Sequence, residues 1–281
     1  MDFPVRPGVN GLEKIVVNTP VAQGEVYLQG AHVTAWQPTG RKPVLWMSGQ
    51  SYFEPGKPIR GGMPVCFPWF GPHPADSSRP AHGTARIQKW SPVRSRWYPN
   101  GVAELVFEAH VAPFTVQLQI RMGQQLELCM RTTLSPEQTQ PVSFEQALHT
   151  YFCVSDVRNA EIRGLENSSF IDKMRQARRC DPAGCPITFN KETDRVYFNT
   201  ADTVVIHDSG DGRQIVIEKT GSLSTVVWNP WIDKSRRMPD FGDSEWPGMV
   251  CVETANVADN RVRLAPGSSH EMTVRISVKD R

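Results

Sequence analysis

Apolar and polar residues alternate along most of this chain in short runs, and almost none carries the three-to-four-residue spacing of an amphipathic helix. The period-two pattern predicts strands at Glu25–Gln29, His32–Gln37 and Val44–Met47. A second group follows at Gln88–Arg96, Ala103–Ala112, Thr115–Met122, Gln125–Leu134 and Val142–Val154. The last group comprises Ala160–Gly164, Arg195–Asn199, Thr203–His207, Gln214–Lys219, Thr225–Trp228, Met249–Thr254 and Met272–Val278. Asn100-Gly101, Met122-Gly123-Gln124, the Ser209–Gly212 turn and Pro266-Gly267 separate several of them. The one short helical candidate is Gly242–Trp246, stopped by Pro247. Many strands and few helices predict an all-β sandwich or barrel. No Pro/Gly/Ser-rich linker divides the chain, so residues 1–281 read as one domain.

One stretch breaks the pattern. Ile59–Arg86, IRGGMPVCFPWFGPHPADSSRPAHGTAR, has neither period. Its prolines block regular ladders and its glycines permit backbone angles that other residues avoid. Yet Met63, Val65, Phe67, Trp69 and Phe70 can bury a large apolar area. A long irregular segment with that content is a binding loop rather than a spacer. Arg60 at its start, with His82 and Arg86 at its end, suggests a polar, anionic ligand.

Composition narrows the function. A net charge of +2 gives no electrostatic case for nucleic acid or membrane as partner. The chain has no apolar run long enough to span a bilayer, and its first residues lack a signal-peptide pattern, so a cytoplasmic location is expected. The six cysteines sit mostly in strand-like runs as reduced, buried side chains. Cys180 and Cys185 enclose a turn but have no matching half-site, and the histidines show no HxH or HExxH spacing; no metal site is expected. Nucleophile-elbow, P-loop and dinucleotide-binding signatures are missing. The basic run Asp172–Arg179 reads as a solvated loop face.

Some polar residues stand where polar residues are unexpected. His149 lies in the apolar run ALHTYFCV, where a core histidine with one satisfied hydrogen bond is the plain alternative to a functional one. Glu253 lies in the strand MVCVETAN; alternation puts it on one face with Cys251, and Val250, Val252 and Thr254 on the other. A carboxylate in such a strand is costly unless paired or at an exposed edge. Asp194 and Arg195 are adjacent and equally suit a surface ion pair.

In combination these residues are more specific. IRGGMPVCFPWFGPH, AHGTAR, ALHTYFCVSDV, TDRVYFNT, WNPW and GDSEWPGMVCVETANV occur in that order. The chain thereby resembles the D-hexose-6-phosphate mutarotases of the aldose 1-epimerase family, from about Gly24 to its C-terminus. The resemblance implies a large antiparallel β-sandwich with a sugar cleft on the concave side of one sheet. It implies a catalytic acid and base, matching His149 and Glu253, set in opposed positions about the sugar. Substrate-binding positions fall on Arg60, Arg86 and Asp194, with His82 beside them in the HGxAR block. The arginines would clamp the 6-phosphate, and Trp and Phe of the loop would wall the sugar. Ala81 departs from the polar residue, often Gln, found there in many relatives. The implied protein is a monomer acting on a hexose 6-phosphate without cofactor. An epimerase of unphosphorylated aldoses and a non-catalytic sugar-binding module are the rival readings.

Overall fold

In the computed structural model, which describes residues 2–280, strict alternation becomes strand. Phe114–Met122 shows the cause: Phe114, Val116, Leu118, Ile120 and Met122 are buried, while Thr115 and Arg121 face solvent. Each such side chain taken from water contributes about 1.5–3 kcal/mol. A one-residue slip would expose the whole set, so the register is firmly specified.

Two eight-stranded antiparallel sheets carry the fold. One runs, in spatial order, through Ala160–Arg163, Val204–Asp208, Arg213–Thr220, Ser269–Asp280, Leu126–Leu134, Phe114–Met122, Ala103–Val111 and Ser91–Trp97. The other runs through Arg178–Cys180, Phe170–Asp172, Thr193–Phe198, Ser224–Asn229, Met249–Asn256, Gln146–Leu148 and Val65–Cys66, with Tyr151–Cys153 also pairing to Met249–Asn256. Side chains of both sheets, such as Leu118, Ile217, Val227 and Val252, join one apolar core between them. A four-stranded sheet, Val5–Pro7 to His32–Pro38, adds to that core through Ile15, Val26 and Trp36. The architecture is the β-sandwich expected. No helix of the described residues is long and apolar enough to cross a membrane.

Several predicted elements differ, each for a local reason. Gly242–Glu245 is not helical, and a 3₁₀ turn begins only at Trp246 and runs through Pro247 to Gly248; Glu245 folds back instead, its carboxylate accepting from the Gly242 N–H at 3.1 Å. The α-helix is Trp231–Arg237, too short to show an apolar period. Val44–Met47 makes only single bridges, from Leu45 to Phe152 and from Met47 to Gly61. Val142–Val154 is not one strand but three, at Val142–Phe144, Gln146–Leu148 and Tyr151–Cys153. Between the last two, His149 leaves the ladder and donates its backbone N–H to the Pro64 carbonyl at 3.0 Å. Short strands at Val65–Cys66, Phe170–Asp172, Arg178–Cys180 and Val262–Leu264 lie below the length at which alternation can be read.

Candidate active site

The face of the second sheet opposite Val227, Val250 and Val252 carries two rows of side chains. Paired residues put Ile171, Val196, Val226 and Glu253 in one row, and Asp194, Trp228, Cys251 and Tyr151 in the next. Val196 and Val226 form part of a second, smaller apolar cluster there. The irregular loop closes over these rows, and the result is a cavity of about 630 Å³. Arg60, His82, Arg86, His149, Asp194 and Glu253 all line it, so residues spread over nearly two hundred positions are brought together.

His149 and Glu253 stand side by side, Nε2 to Oε1 at 3.4 Å, rather than opposed. Both are buried, at 7% and 1% exposure. Burial pushes the Glu253 carboxyl well above the ordinary carboxylate range; Lys173 opposes the rise and Asp194 adds to it. Burial likewise holds the His149 imidazole well below its usual value, and His82, Arg86 and Arg60 lower it further. Each group is thus biased toward its neutral form, and one proton shared between them leaves the pair without net charge. Glu253 Oε2 and His149 Nδ1 are buried without a hydrogen-bond partner. Such atoms are costly in an apolar setting unless a ligand satisfies them.

The imidazole plane is fixed by aromatic rings. Tyr151 stacks on it, with centroids 4.8 Å apart and planes 10° apart, and Trp228 meets it edge-on at 6.0 Å. Tyr151 is itself held by Arg60, whose Nη1 donates to the Tyr151 hydroxyl at 2.9 Å. Arg60 also donates from Nε and Nη2 to both oxygens of Asp240, at 3.0–3.1 Å. Its charge is therefore already met by a carboxylate, which the sequence did not reveal. Arg86 is different: one Nη2 bond reaches the Ala81 carbonyl at 2.7 Å, and its buried Nε has no partner. Burial pulls the Arg86 pKa down.

His82 is held in the left-handed region at φ 64°, its N–H on the Gly71 carbonyl at 2.7 Å and its Nδ1 accepting from Gly71 N at 3.3 Å. Gly83 follows because nothing else fits: at φ +76°, an added Cβ would lie 1.9 Å from the Phe67 carbonyl oxygen. The loop also inserts Val65–Cys66 as an edge strand against Gln146–Leu148, so it is part of the sheet as well as its cover.

The ion pair between Asp194 and Arg195 does not form. Neighbours on a strand point to opposite faces, and Asp194 instead pairs with Lys173 at 3.1 Å, while Arg195 turns toward Asp172. Lys173 lines the cavity, which corrects the reading of Asp172–Arg179 as wholly solvated. Lys234 and Met238, from the helix and the turn after it, line the cavity too. No motif marked these residues; the basic run and the WNPW block were the only signals nearby. Of the loop aromatics, Phe70 walls the cavity and Trp69 does not, its indole N–H being tied to the Pro80 carbonyl at 3.1 Å; Trp228 takes that place. Among the described residues one group has converging metal-type donors: His149, Cys251 and Glu253, whose ligand atoms lie within 4.8 Å of one another. Two of those three residues are the ones that share the proton. Cys180 and Cys185 are free thiols.

The aldose 1-epimerase family model matches residues 13–277. A protein of Escherichia coli (strain K12) named "Putative glucose-6-phosphate 1-epimerase" is 37% identical over 91% of this chain and 87% of its own length. A protein of the same name from Cenchrus ciliaris is 32% identical over 95% of this chain and 85% of its own length. A crystal structure from Salmonella typhimurium, described as a "putative mutarotase", superposes with a TM-score of 0.89 at 31% identity, covering 100% of this chain and 98% of that one. The galactose 1-epimerase of Lactobacillus acidophilus NCFM, at 10% identity and a TM-score of 0.74 over 99% of this chain and 98% of that one, shares the fold. With sequence, fold and cavity in agreement over nearly its whole length, the chain belongs to the aldose 1-epimerase family.

Proposed function

We propose that the protein is a hexose-6-phosphate mutarotase, interconverting the α and β anomers of glucose 6-phosphate and related aldohexose 6-phosphates. The observation that carries this reading is the buried His149–Glu253 pair in a cavity that also holds the unpaired guanidinium of Arg86. The names of the similar proteins point the same way.

Ring opening needs a base at the anomeric hydroxyl and an acid at the ring oxygen. Passage of the shared proton from Glu253 to His149 gives the carboxylate–imidazolium form of the pair; from it Glu253 takes the proton from O1, His149 gives one to O5, the C1–O5 bond breaks and C1=O1 forms. Rotation about C1–C2 turns the other face of the aldehyde, and the reverse transfers close the ring. O1 and O5 are bonded to the same carbon, so the acid and base must sit close together, and side-by-side placement at 3.4 Å meets that need. The proton moves from one member of the pair to the other through the sugar. The pair carries no net charge before or after, so the buried site never gains or loses a charge that its low dielectric would penalise. Positioned proton transfer of this kind contributes roughly 10²–10⁴-fold per group.

Asp194 would hold sugar hydroxyls by charge-assisted hydrogen bonds, and Phe70 and Trp228 would face its C–H surface. The test compares glucose 6-phosphate with free glucose and galactose in one anomer-exchange assay. A preference for the phosphorylated sugar is expected. Equal or better rates on the free aldoses would favour an unphosphorylated substrate, and binding without exchange would leave a sugar-binding module.

A further inference from the structure

A phosphate monoester carries about −1.5 to −2 charges at neutral pH. Arg86 brings one positive charge with no carboxylate against it. Arg60 does not bring a second: Asp240 meets it through both oxygens, and Asp240 is itself buried. A cavity with Arg86 alone would therefore leave about half to one phosphate charge unmatched.

Two more cations line the same cavity, from parts of the chain that no motif marks. Lys173 opens the 3₁₀ turn Lys173–Arg175, and Lys234 lies on the helix Trp231–Arg237. Each makes a single ammonium–carboxylate contact, Lys173 to Asp194 and Lys234 to Glu192, both at 3.1 Å. Their side chains are about one-third exposed, at 37% and 33%. Such pairs contribute little, about 0–1 kcal/mol, and an ammonium has three donors, so each can turn to an arriving anion. Each also lies over an aromatic wall, Lys173 5.0 Å from the Phe70 ring and Lys234 5.9 Å from that of Trp228. Both lysines, with Arg60 and Arg86, bear on one imidazole at the cavity wall, that of His82, and hold its pKa down after burial has lowered it.

We infer that Lys173 and Lys234, with Arg86, form the phosphate seat, and that these two lysines, rather than Arg60, set the preference for phosphorylated over free aldoses. The inference rests on the hexose-phosphate reading above. It adds a consequence. When Lys173 turns to the phosphate, it releases Asp194 to accept sugar hydroxyls, so the charged end of the substrate prepares the site for the neutral end. Arg60 keeps a separate task, holding Tyr151 against His149.

The test measures kcat/KM for glucose 6-phosphate and for glucose in the wild type, Lys173→Met, Lys234→Met and the double variant, with Lys→Gln variants in case either Met variant folds poorly. Each single change is expected to cost roughly 10–100-fold on the phosphorylated sugar, the worth of a charge-assisted contact, and at least tenfold less on glucose. Lys173→Arg and Lys234→Arg should restore most of the loss. Added salt should raise KM for glucose 6-phosphate in the wild type, and much less so in the double variant. If the wild type prefers the phosphorylated sugar and the double variant keeps that preference, the lysines are not the seat. Equal losses on both sugars would also overturn the inference, by showing a structural role. A wild type with no preference at all would overturn the hexose-phosphate reading itself, and the inference with it.

Discussion

If the acid and the base act as one unit, removing both should cost little more than removing either. The perturbation is Glu253→Gln, His149→Gln and the two together. Glutamine at 253 has the shape of a protonated glutamate, the form that burial already favours there, so the fold should persist and the melting temperature should move little. Taking ~10³-fold as the contribution of either transfer, each single variant loses about 4 kcal/mol of transition-state stabilisation. Independent contributions would multiply to ~10⁶-fold in the double variant. The 3.4 Å contact argues otherwise. The proton leaving O1 and the proton arriving on O5 belong to one event, and a site lacking one partner strands the other. The double variant should therefore sit near the ~10³-fold loss of the singles, a coupling of about 4 kcal/mol. Anomer exchange of glucose 6-phosphate, followed by magnetisation transfer with the spontaneous rate subtracted, reads all four proteins. Single variants well above background with a double variant at background would refute the coupled pair. Near-normal exchange in either single variant would refute the assignment altogether.

Other consequences concern the support around the pair. Asp240→Asn should leave the part-buried Arg60 without its two-oxygen partner, cost roughly 1.5–3 kcal/mol in stability, and lower kcat more than it raises KM, because Arg60 steadies the Tyr151 ring stacked on His149. Thermal melts with steady-state kinetics check this, and a pure KM effect would contradict it. Gly83→Ala forces a side chain into the Phe67 carbonyl at a left-handed backbone position; a lower melting temperature and loss of activity are expected, and a wild-type melt would show that the loop yields more easily than its geometry suggests. Lys219 is buried, with its ammonium donating to Thr200, Ser224 and Thr225 at 2.8 Å. Burial pulls its pKa from 10.5 to about 7, so across that window the unfolded chain binds the extra proton and stability should rise with pH. Denaturant titrations should show a shallower rise in Lys219→Met than in the wild type; parallel curves would dismiss Lys219 as the source.

Much of the fold was readable because it depends on local period. A long strand such as Phe114–Met122 alternates strictly, and a one-residue slip would expose its apolar set, while Met249–Asn256 reads as a strand from its β-branched, apolar run and is buried on both faces. The same period placed Cys251 and Glu253 on one face, which is why a carboxylate in an apolar strand signalled a site. The short strands and the helix Trp231–Arg237 gave no such signal, since two to seven residues hold too few repeats. The run Val142–Val154 looked like one strand because it is mostly apolar or β-forming; the Pro64 carbonyl, more than eighty positions away, takes the His149 N–H out of the ladder.

The sequence by itself determined the layered β architecture, which follows from residue type and period along the chain, and its ordered motif blocks marked out the residues that line the cavity. The tertiary structure alone decided how those residues are charged and partnered. It gave Arg60 to Asp240, from 180 positions away, and so removed it from the free cations. It brought Lys173 and Lys234 to the cavity, and it set His149 beside Glu253 rather than across from it. The physical reason is range. Burial and Coulomb interactions depend on distance through space, and no spacing along the chain records which distant carboxylate will neutralise a given cation.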